Sequence, residues 1–377
     1  MRFISILLLF STGFLNPLLA ESAPPSSWPL FRGDPNMLGV SEEDLKLPLE
    51  LAWDFLAEAP VPATAVISQD RVFVGSFDKY FYCLDLKSGE VLWKFETAFG
   101  VEGPACLVGE LVCFGDSDGI VFGLRQDSGA EVWRYETDDS IVGGLNTHVT
   151  SEGRELVLVG SDDFFLHGID AKTGEQVWAV ETGNYIRGAP SVDTESGVVI
   201  MGGCDEILRL IDANTGTSAK EIEIGAYMAN SCAVKDQIAY VAHYAGEVVA
   251  IDLKTGERAW THDAEGTEFI ASPAVTEDRV IIGGRDKKLR SIDRSTGELI
   301  WDFTARRGID SSPVVTPTAI FTGSDDGRLY AINPNDGSEL WSYEIGARLN
   351  ASPAISNGYL VINGQDGGIY AFKSAPK

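Results

Sequence analysis

The sequence lacks the residue patterns that most metal and nucleophile chemistry requires. The one Gly-x-Ser-x-Gly match, at 115–119, lies in a predicted turn between two strands and not in the strand-to-helix elbow that exposes a nucleophilic serine. No His-Glu-x-x-His motif offers zinc ligands. The acidic runs at 116–119 and 324–327 do not match the EF-hand calcium loop and are typical of turns. None of the five cysteines forms a Cys-x-x-Cys motif or a consecutive pair: Cys83, Cys106, Cys113, Cys204 and Cys232. We therefore expect no metal site and no catalytic residue.

The cysteine count is odd, so at least one thiol stays free or pairs with another chain if the protein is exported. Cys106 and Cys113 flank the turn Gly109-Glu110 and face each other across a predicted hairpin. A disulfide there and two buried thiols are both open at this point. The apolar strands around these cysteines favour buried thiols.

Basic residues are scarce: 29 lysines and arginines oppose 56 aspartates and glutamates, which gives a formal charge of −27. The acidic residues are spread over the whole chain. Such a chain repels phosphate backbones and anionic membrane surfaces, so we expect no nucleic-acid partner.

The first 20 residues contain the long apolar run of the chain. Arg2, the apolar stretch 3–10 and a small residue at Ala20 have the order of a secretory signal, with cleavage expected after Ala20. An uncleaved anchor is the weaker alternative, because polar residues interrupt a segment that needs about 20 apolar residues to cross a bilayer. We predict a signal peptide at 1–20, an extended segment at 21–50, a propeller domain at 51–377 and no membrane span in the mature chain. The location would be the periplasm or the exterior.

A phrase built on Asp-x-x-Thr-Gly and a following Trp recurs along the chain at intervals of roughly 40 residues. Between the phrases lie short runs rich in β-branched and aromatic residues, separated by Gly, Asp and Asn, which predict strands. No helical periodicity is sustained. The glycines of the phrase are Gly89, Gly129, Gly174, Gly216, Gly256, Gly297 and Gly337.

The repeat predicts an all-β, eight-bladed β-propeller of four-stranded antiparallel blades, with strands A to D in each blade. The third and fourth strands each occur eight times, provided that the strand around Trp53 is counted as a fourth strand. The chain therefore opens with a lone D strand and closes with strands A, B and C. Pairing the N-terminal D strand with the three C-terminal strands closes the ring.

The phrase at 250–260, Ala-Ile-Asp-Leu-Lys-Thr-Gly-Glu-Arg-Ala-Trp, resembles the tryptophan-docking repeat of the quinoprotein family. That family contains pyrroloquinoline-quinone dehydrogenases and non-enzymatic relatives such as the B subunit of the outer-membrane β-barrel assembly machinery. The segment 28–33, Trp-Pro-Leu-Phe-Arg-Gly, is similar to the opening of many exported members. Blade four departs from the pattern, with Lys220 at the tryptophan position and Thr217 for the usual Glu.

The resemblance implies a test for enzymatic function. The dehydrogenases of the family place an adjacent Cys-Cys pair over their quinone, with an acidic base and oxygen ligands for calcium. This sequence has no such pair and lacks the long inserts that shape the enzymes' pocket. We therefore expect no cofactor and no enzymatic activity.

The candidate site lies on the face where the D-to-A and B-to-C connections meet, because these loops vary while the Asp-x-x-Thr-Gly turns of the other face are uniform. A solvated rim without a ligand is the plain alternative. The residues predicted to surround the channel mouth are Glu102, Tyr185, Arg187, Tyr227, Asn230, Phe269, Arg307, Asp310, Arg348 and Asn350.

Three functions are compatible with this sequence. The first is a monomeric scaffold that binds protein partners in the cell envelope through the loop-rich face. The second is a quinone-dependent dehydrogenase, against which the missing cysteine pair argues. The third is a binder of an exported polymer, such as a polysaccharide, or of another small ligand, because exposed aromatic residues serve sugars and proteins equally well.

Overall fold

The computed structural model describes residues 27–376, so the predicted signal peptide lies outside the described residues. The described chain is built of β-strands joined by turns. The strands of the N-terminal half are β1 (Ser27–Trp28), β2 (Leu49–Leu56), β3 (Val66–Ser68), β4 (Arg71–Gly75), β5 (Tyr80–Asp85), β6 (Val91–Glu96), β7 (Cys106–Val108), β8 (Leu111–Gly115), β9 (Ile120–Arg125), β10 (Glu131–Glu136), β11 (Asn146–Val149), β12 (Glu155–Gly160), β13 (Phe165–Asp170), β14 (Gln176–Glu181), β15 (Ser191–Asp193) and β16 (Val198–Gly202). The remaining strands are β17 (Ile207–Asp212), β18 (Ser218–Glu223), β19 (Ala233–Lys235), β20 (Ile238–Ala242), β21 (Glu247–Asp252), β22 (Arg258–Asp263), β23 (Ala274–Val275), β24 (Arg279–Gly283), β25 (Lys288–Asp293), β26 (Leu299–Thr304), β27 (Val314–Val315), β28 (Ile320–Gly323), β29 (Arg328–Ile332), β30 (Glu339–Glu344), β31 (Ala354–Ser356), β32 (Tyr359–Asn363) and β33 (Gly368–Ser374).

The strands form eight antiparallel sheets, and each sheet follows the order A to D from the central channel to the outside. Strands β3 to β30 supply seven blades in sequence, and β1 adds a short fifth strand to the first blade. The eighth blade has the order β31, β32, β33, β2. The predicted eight-bladed propeller and its closure are therefore confirmed.

The closing strand β2 is longer than the other D strands and pairs with β33 from Leu49 opposite Ser374 to Leu56 opposite Gly368. Leu49 and Trp53 of this strand are buried in the same apolar cluster as β31, β32 and β33. The contact joins the two ends of the chain, so no blade is left incomplete.

The repeated tryptophans dock each blade on the next. The indole Nε1 of Trp53 donates to the carbonyl of Leu86 at 2.7 Å, and that of Trp133 donates to Ala171 at 2.8 Å. The same bond recurs for Trp93, Trp178, Trp260 and Trp301. In blade four, Lys220 Nζ donates to the carbonyl of Lys254 at 2.9 Å and so replaces the indole bond but not the ring.

Residues 28–43 form a strap that crosses the channel at the end nearer the A-to-B turns. Its carbonyls at Pro29, Pro35, Asn36, Leu38 and Gly39 accept hydrogen bonds from the backbone N–H groups of the inner strands in blades two, four, five, six and seven. The strap also pairs with blade one through β1, receives the amide of Asn146 in blade three, and reaches blade eight through the Glu43 carboxylate, which accepts from the Gly358 N–H. One segment thus contacts all eight blades.

The strap holds a fully buried arginine. The Nη2 atom of Arg32 donates to the carbonyls of Pro313 at 2.6 Å and Pro273 at 3.3 Å, which tie it to blades six and seven. Burial lowers the pKa of Arg32 to about 9, and the nearby Asp34 opposes that shift. The guanidinium therefore remains charged at neutral pH.

The five cysteines are free thiols, and four of them are buried. Cys106 and Cys113 face each other across the hairpin of β7 and β8, which confirms the expectation of buried thiols. Burial raises the pKa of Cys113 well above its usual range. Within residues 27–376 there is no helix with the length and apolar content needed to span a bilayer.

Candidate functional site

The D-to-A loops and the B-to-C turns meet at one end of the channel and are locked together by backbone hydrogen bonds. Val101 N donates to Ser76 O at 3.0 Å, Ile309 N donates to Gly284 O at 3.1 Å, and equivalent bonds recur in other blades. The apolar side chain at this loop position is buried. Each loop therefore presents the residue that follows its buried anchor to the channel on a fixed backbone.

These residues surround a pit of about 220 Å³ that opens on the loop-rich face. Phe31 of the strap lines the pit, so the strap separates it from the opposite end of the channel. A belt of hydroxyls joins the blades in the wall, where Ser231 N donates to Ser272 Oγ at 3.0 Å and Ser272 N donates to Ser312 Oγ at 2.9 Å. The belt continues through Ser352 to Thr64. The wall is thus polar and rigid.

Five of the ten residues predicted for the mouth line this pit: Glu102, Arg187, Asn230, Asp310 and Asn350. Four of them directly follow the buried anchors of their loops. Asn230 is one residue out of phase, because Ala229 follows the buried Met228. Its side chain is buried and its Nδ2 donates to the carbonyls of Phe269 at 3.3 Å and Ala271 at 3.1 Å. Asn230 therefore lines the pit as predicted but joins two blades, at a loop position one residue later than that of the other four.

Phe269 does not belong to the mouth surface. It occupies the buried anchor position of its loop, is 0% exposed, and packs in the cluster between blades five and six. The prediction of an exposed aromatic ring was wrong because an apolar side chain at this loop position faces the core.

On one side of the pit, Arg187 Nη2 lies 3.1 Å from Asp162 Oδ2. This hydrogen bond raises the pKa of Arg187, while burial raises the pKa of Asp162 against the pull of Arg187. Burial also raises the pKa of Glu102, which Arg187 attracts as well. One guanidinium thus serves two partly buried carboxylates.

On the other side, Arg285 bridges two acidic residues. Its Nη1 lies 2.7 Å from Glu268 Oε2 and its Nη2 lies 3.2 Å from Asp310 Oδ2. The bond to Asp310 is the main reason why the pKa of Arg285 is raised. Nearby, Asn350 Nδ2 donates to Asp325 Oδ1 at 2.9 Å. The pit is therefore surrounded by paired charges.

Sequence reasoning missed Asp162, Arg285 and Asp325, although they contact the predicted loop residues. All three stand in B-to-C turns, two residues after the glycine that ends the B strand, as in Gly160 and Asp162 or Gly283 and Arg285. That constant offset within the repeat is the signal that could have located them.

The other predicted residues lie outside the pit on the same face. Tyr185 and Tyr227 are exposed at 41% and 54%. The Tyr185 ring packs edge-to-face with Phe164 at 5.2 Å, and the Arg187 guanidinium lies 5.4 Å from its centroid. Arg307 and Arg348 are exposed and line an open cleft over blades six to eight. The face thus carries aromatic rings on one side and arginines on the other.

The residues of the pit do not fit a quinone with its metal ion. Within residues 27–376 no group of three or more His, Cys, Asp or Glu side chains is placed to hold a metal ion. Cys204, near Arg187, is a free thiol whose pKa burial raises. Phe31 is the only aromatic side chain among the described residues that line the pit. The pit offers hydrogen bonds and charge to a ligand.

Solved structures share the eight-bladed architecture. BamB from Moraxella catarrhalis superimposes with a TM-score of 0.74 at 20% identity, over 88% of this chain and 99% of that chain. A europium-containing methanol dehydrogenase gives 0.78 at 14% identity, over 93% and 98% of the two chains. The quinohemoprotein alcohol dehydrogenase from Comamonas testosteroni gives 0.78 at 14%, over 95% and 82%. At these identities the likeness shows the fold alone.

No curated protein sequence matches this chain. A family profile matches it four times, over residues 57–135, 117–219, 204–310 and 285–375, and so spans almost the whole propeller. The profile is that of the outer membrane protein assembly factor BamB. The resemblance inferred from the tryptophan-docking phrase is thereby confirmed, and the chain belongs to the PQQ-like repeat family described by outer membrane protein assembly factor BamB.

Proposed function

We propose that this protein is an exported, non-enzymatic scaffold that binds a protein partner of the cell envelope through the loop-rich face of its propeller. The observation that carries the proposal is the concentration of charged and aromatic side chains on that face, where Arg187, Asp310, Tyr185 and Tyr227 stand on loops fixed by a rigid ring. Exposed loops on such a scaffold are common binding surfaces. Membership of the BamB-like family supports the same function and an envelope location.

The choice of a scaffold over an enzyme rests on the chemistry of the pit. The enzymes of the family use a consecutive cysteine pair, and this sequence has none. The two arginines beside the pit are held in ion pairs, Arg187 with Asp162 and Arg285 with Asp310, and carboxylates outnumber them. Ion pairs at a protein surface steer and orient a binding partner, and they do not by themselves catalyse a reaction. This arrangement favours recognition.

The test compares the wild-type protein with variants that remove both members of a mouth ion pair. Arg187→Ala with Asp162→Asn, and Arg285→Gln with Asp310→Asn, leave the net charge unchanged and neutralise the more buried carboxylate in contact with each arginine. The protein, lacking residues 1–20, is cross-linked in envelope extract of its own organism. We expect the captured partner to fall several-fold with these variants, as measured by quantitative mass spectrometry.

A matched control removes an ion pair from the opposite face. Arg125 and Glu110 are exposed and lie 3.2 Å apart, so Arg125→Gln with Glu110→Gln makes the same kind of change away from the mouth. This control should capture the partner as the wild type does. Loss of capture in the control with retention in the mouth variants would move the binding site to the other face and refute the assignment.

A further inference from the structure

Three exposed arginines differ from most of the other described arginines. In the described part of the chain, most arginines lie within 4 Å of a carboxylate oxygen. Arg306, Arg307 and Arg348 have no such contact with any described residue, although the protein carries a formal charge of −27. Arginines gathered without an ion-pair contact leave their guanidinium N–H donors available to a ligand.

The three arginines line one groove on the loop-rich face. Arg306 and Arg307 follow β26, and Arg348 follows β30. A cleft of about 460 Å³ contains all three, and a second cleft of about 480 Å³ adjoins it at Gly346 and Arg348. We call these two clefts the arginine groove. It runs outside the pit from blade six toward blade eight, with Arg348 between its halves.

The backbone of the arginine groove is fixed before any ligand binds. Asp325 N donates to Gly308 O at 3.0 Å, directly beside Arg307, and Gln365 N donates to Arg348 O at 3.0 Å. Arg306 N donates to Asp326 Oδ2 at 3.0 Å. A ligand therefore has to order the arginine side chains but not their loops, which reduces the entropic penalty of binding.

The groove has three carboxylates of its own, and each accepts hydrogen bonds from neutral donors of the protein. Asp366 accepts from the Tyr370 hydroxyl at 2.6 Å and from the Gly368 N–H at 3.0 Å. Asp325 accepts from Asn350 Nδ2 at 2.9 Å. Asp326 accepts from the Tyr330 hydroxyl at 2.7 Å and from the backbone N–H groups of Arg328 and Arg306. These contacts hold the carboxylates in place and leave the three guanidiniums, each with five donors, facing the groove.

We propose that the arginine groove binds an extended acidic segment of a polypeptide partner. The proposal rests on the proposed function and specifies the chemistry of the partner. Guanidinium groups form bidentate hydrogen bonds with carboxylates, so the three arginines favour acidic side chains placed along one strand. Two joined clefts suit an extended chain more than a single anion, and Ile345 and Ala347 give the second cleft apolar contacts for the intervening side chains.

An anionic bilayer is the less suitable occupant because the rest of the protein would be repelled by it. A bound peptide is repelled mainly by protein charges within one Debye length of it, which is about 8 Å at physiological ionic strength. The groove carries three arginines against three carboxylates, so a narrow acidic strand meets less repulsion there than on the rest of the acidic surface.

The test uses fluorescence anisotropy with two short labelled peptides, one of alternating Glu and Val and one of alternating Gln and Val. The protein lacking residues 1–20 should bind the Glu peptide at least about tenfold more tightly than the Gln peptide, and the affinity should fall as salt is added. The triple variant Arg306→Gln, Arg307→Gln and Arg348→Gln should lose that preference.

The matched control carries Arg125→Gln, Arg154→Gln and Lys172→Gln, which remove the same charge from the opposite face and should leave the Glu peptide bound. Phosphatidylglycerol vesicles and alginate form the remaining arms. The proposal is overturned if both peptides bind alike, if the control triple weakens binding as much as the groove triple, or if only the vesicles or alginate bind in a groove-dependent way. The Arg187 and Asp162 double variant should still bind the Glu peptide. A loss of partner capture in that variant would therefore test the proposed function, whereas a loss of peptide binding in the groove triple tests the arginine groove.

Discussion

At the residue scale, the glycine of the C-to-D turn is fixed by the tryptophan that docks on it in every turn except that of Gly256. Gly129 has a φ of +68°, and a Cβ at this position would lie 2.6 Å from Cε3 of Trp93. Two requirements therefore coincide in one residue: the left-handed backbone of the turn and the close approach of an indole ring. The contact therefore joins two blades, since Trp93 belongs to the blade before that of Gly129.

These two requirements can be separated by substitution. Gly129→Ala combines backbone strain with a clash, whereas Gly153→Ala, at a φ of +81° with open space around the new Cβ, introduces the strain alone. We expect Gly153→Ala to lower the free energy of unfolding by about 1 kcal/mol and Gly129→Ala to lower it by about 1–3 kcal/mol more. Urea titration measures both, and equal losses would contradict the role of indole contact.

The candidate site could be predicted only in part, because a shift of one residue along the loop changes which side chain faces the pit. Glu102, Arg187, Asp310 and Asn350 were located by their position before the A strand. Asn230 and Phe269 were chosen by the same approximate rule, yet the first is one residue late and the second one residue early. Counting from the buried anchor requires knowledge of packing that a loop sequence does not carry.

At the element scale, blade four shows what the tryptophan contributes. Lys220 keeps the hydrogen bond to the carbonyl of Lys254 but covers Gly256 only with the end of its chain, 3.0 Å from a Cβ at that glycine. Its neighbours Gly216 and Gly297 lie under the rings of Trp178 and Trp260. The junction between blades four and five therefore buries less apolar surface than the junctions around it.

Replacing Lys220 by Trp should restore the missing contact. Each docked tryptophan buries a large ring and donates its indole N–H to a carbonyl, so we expect Lys220→Trp to stabilise the protein by about 0.5–2 kcal/mol. Thermal unfolding, followed by the backbone signal in far-ultraviolet circular dichroism, measures the gain in stability. Lys220→Met serves as the control, since it removes the charge and adds neither ring nor donor. Equal or lower stability of the Trp variant would show that this junction cannot admit the ring.

The blade strands could be predicted because their pattern is local and recurs every roughly 40 residues. Even the closing strand β2 followed from the repeat, since Trp53 matches the other D strands. The strap did not follow, although the sequence marked 21–50 as an extended segment. Its bonds join Pro29, Asn36 and Gly39 to blades far along the chain and have no periodicity of their own.

At the scale of the whole molecule, two segments near the N-terminus hold the ring together in different ways. Strand β2 completes blade eight and buries Leu49 and Trp53 in its core. The strap reaches every blade from within the channel and places Arg32 and Phe31 at its centre. Strand β2 therefore closes the ring of blades, and the strap connects the blades across the channel.

Two deletions should separate these contributions. Removing residues 21–56 takes away the strap and the closing strand, so blade eight loses its D strand and an edge of β33 is exposed. We expect this chain to be unfolded, or its free energy of unfolding to fall by more than about 3–5 kcal/mol, which is the typical cost of removing one buried tryptophan side chain. The loss should exceed that value because Leu49 and the strand pairing are removed together with Trp53. Removing only 21–48 keeps the ring closed but opens the floor of the pit at Phe31. That chain should fold with a lower melting temperature, intermediate between the wild type and the larger deletion, in calorimetry. An unchanged melting temperature for the 21–56 deletion would refute closure by β2, and equal damage from both deletions would assign the stabilisation to the strap alone.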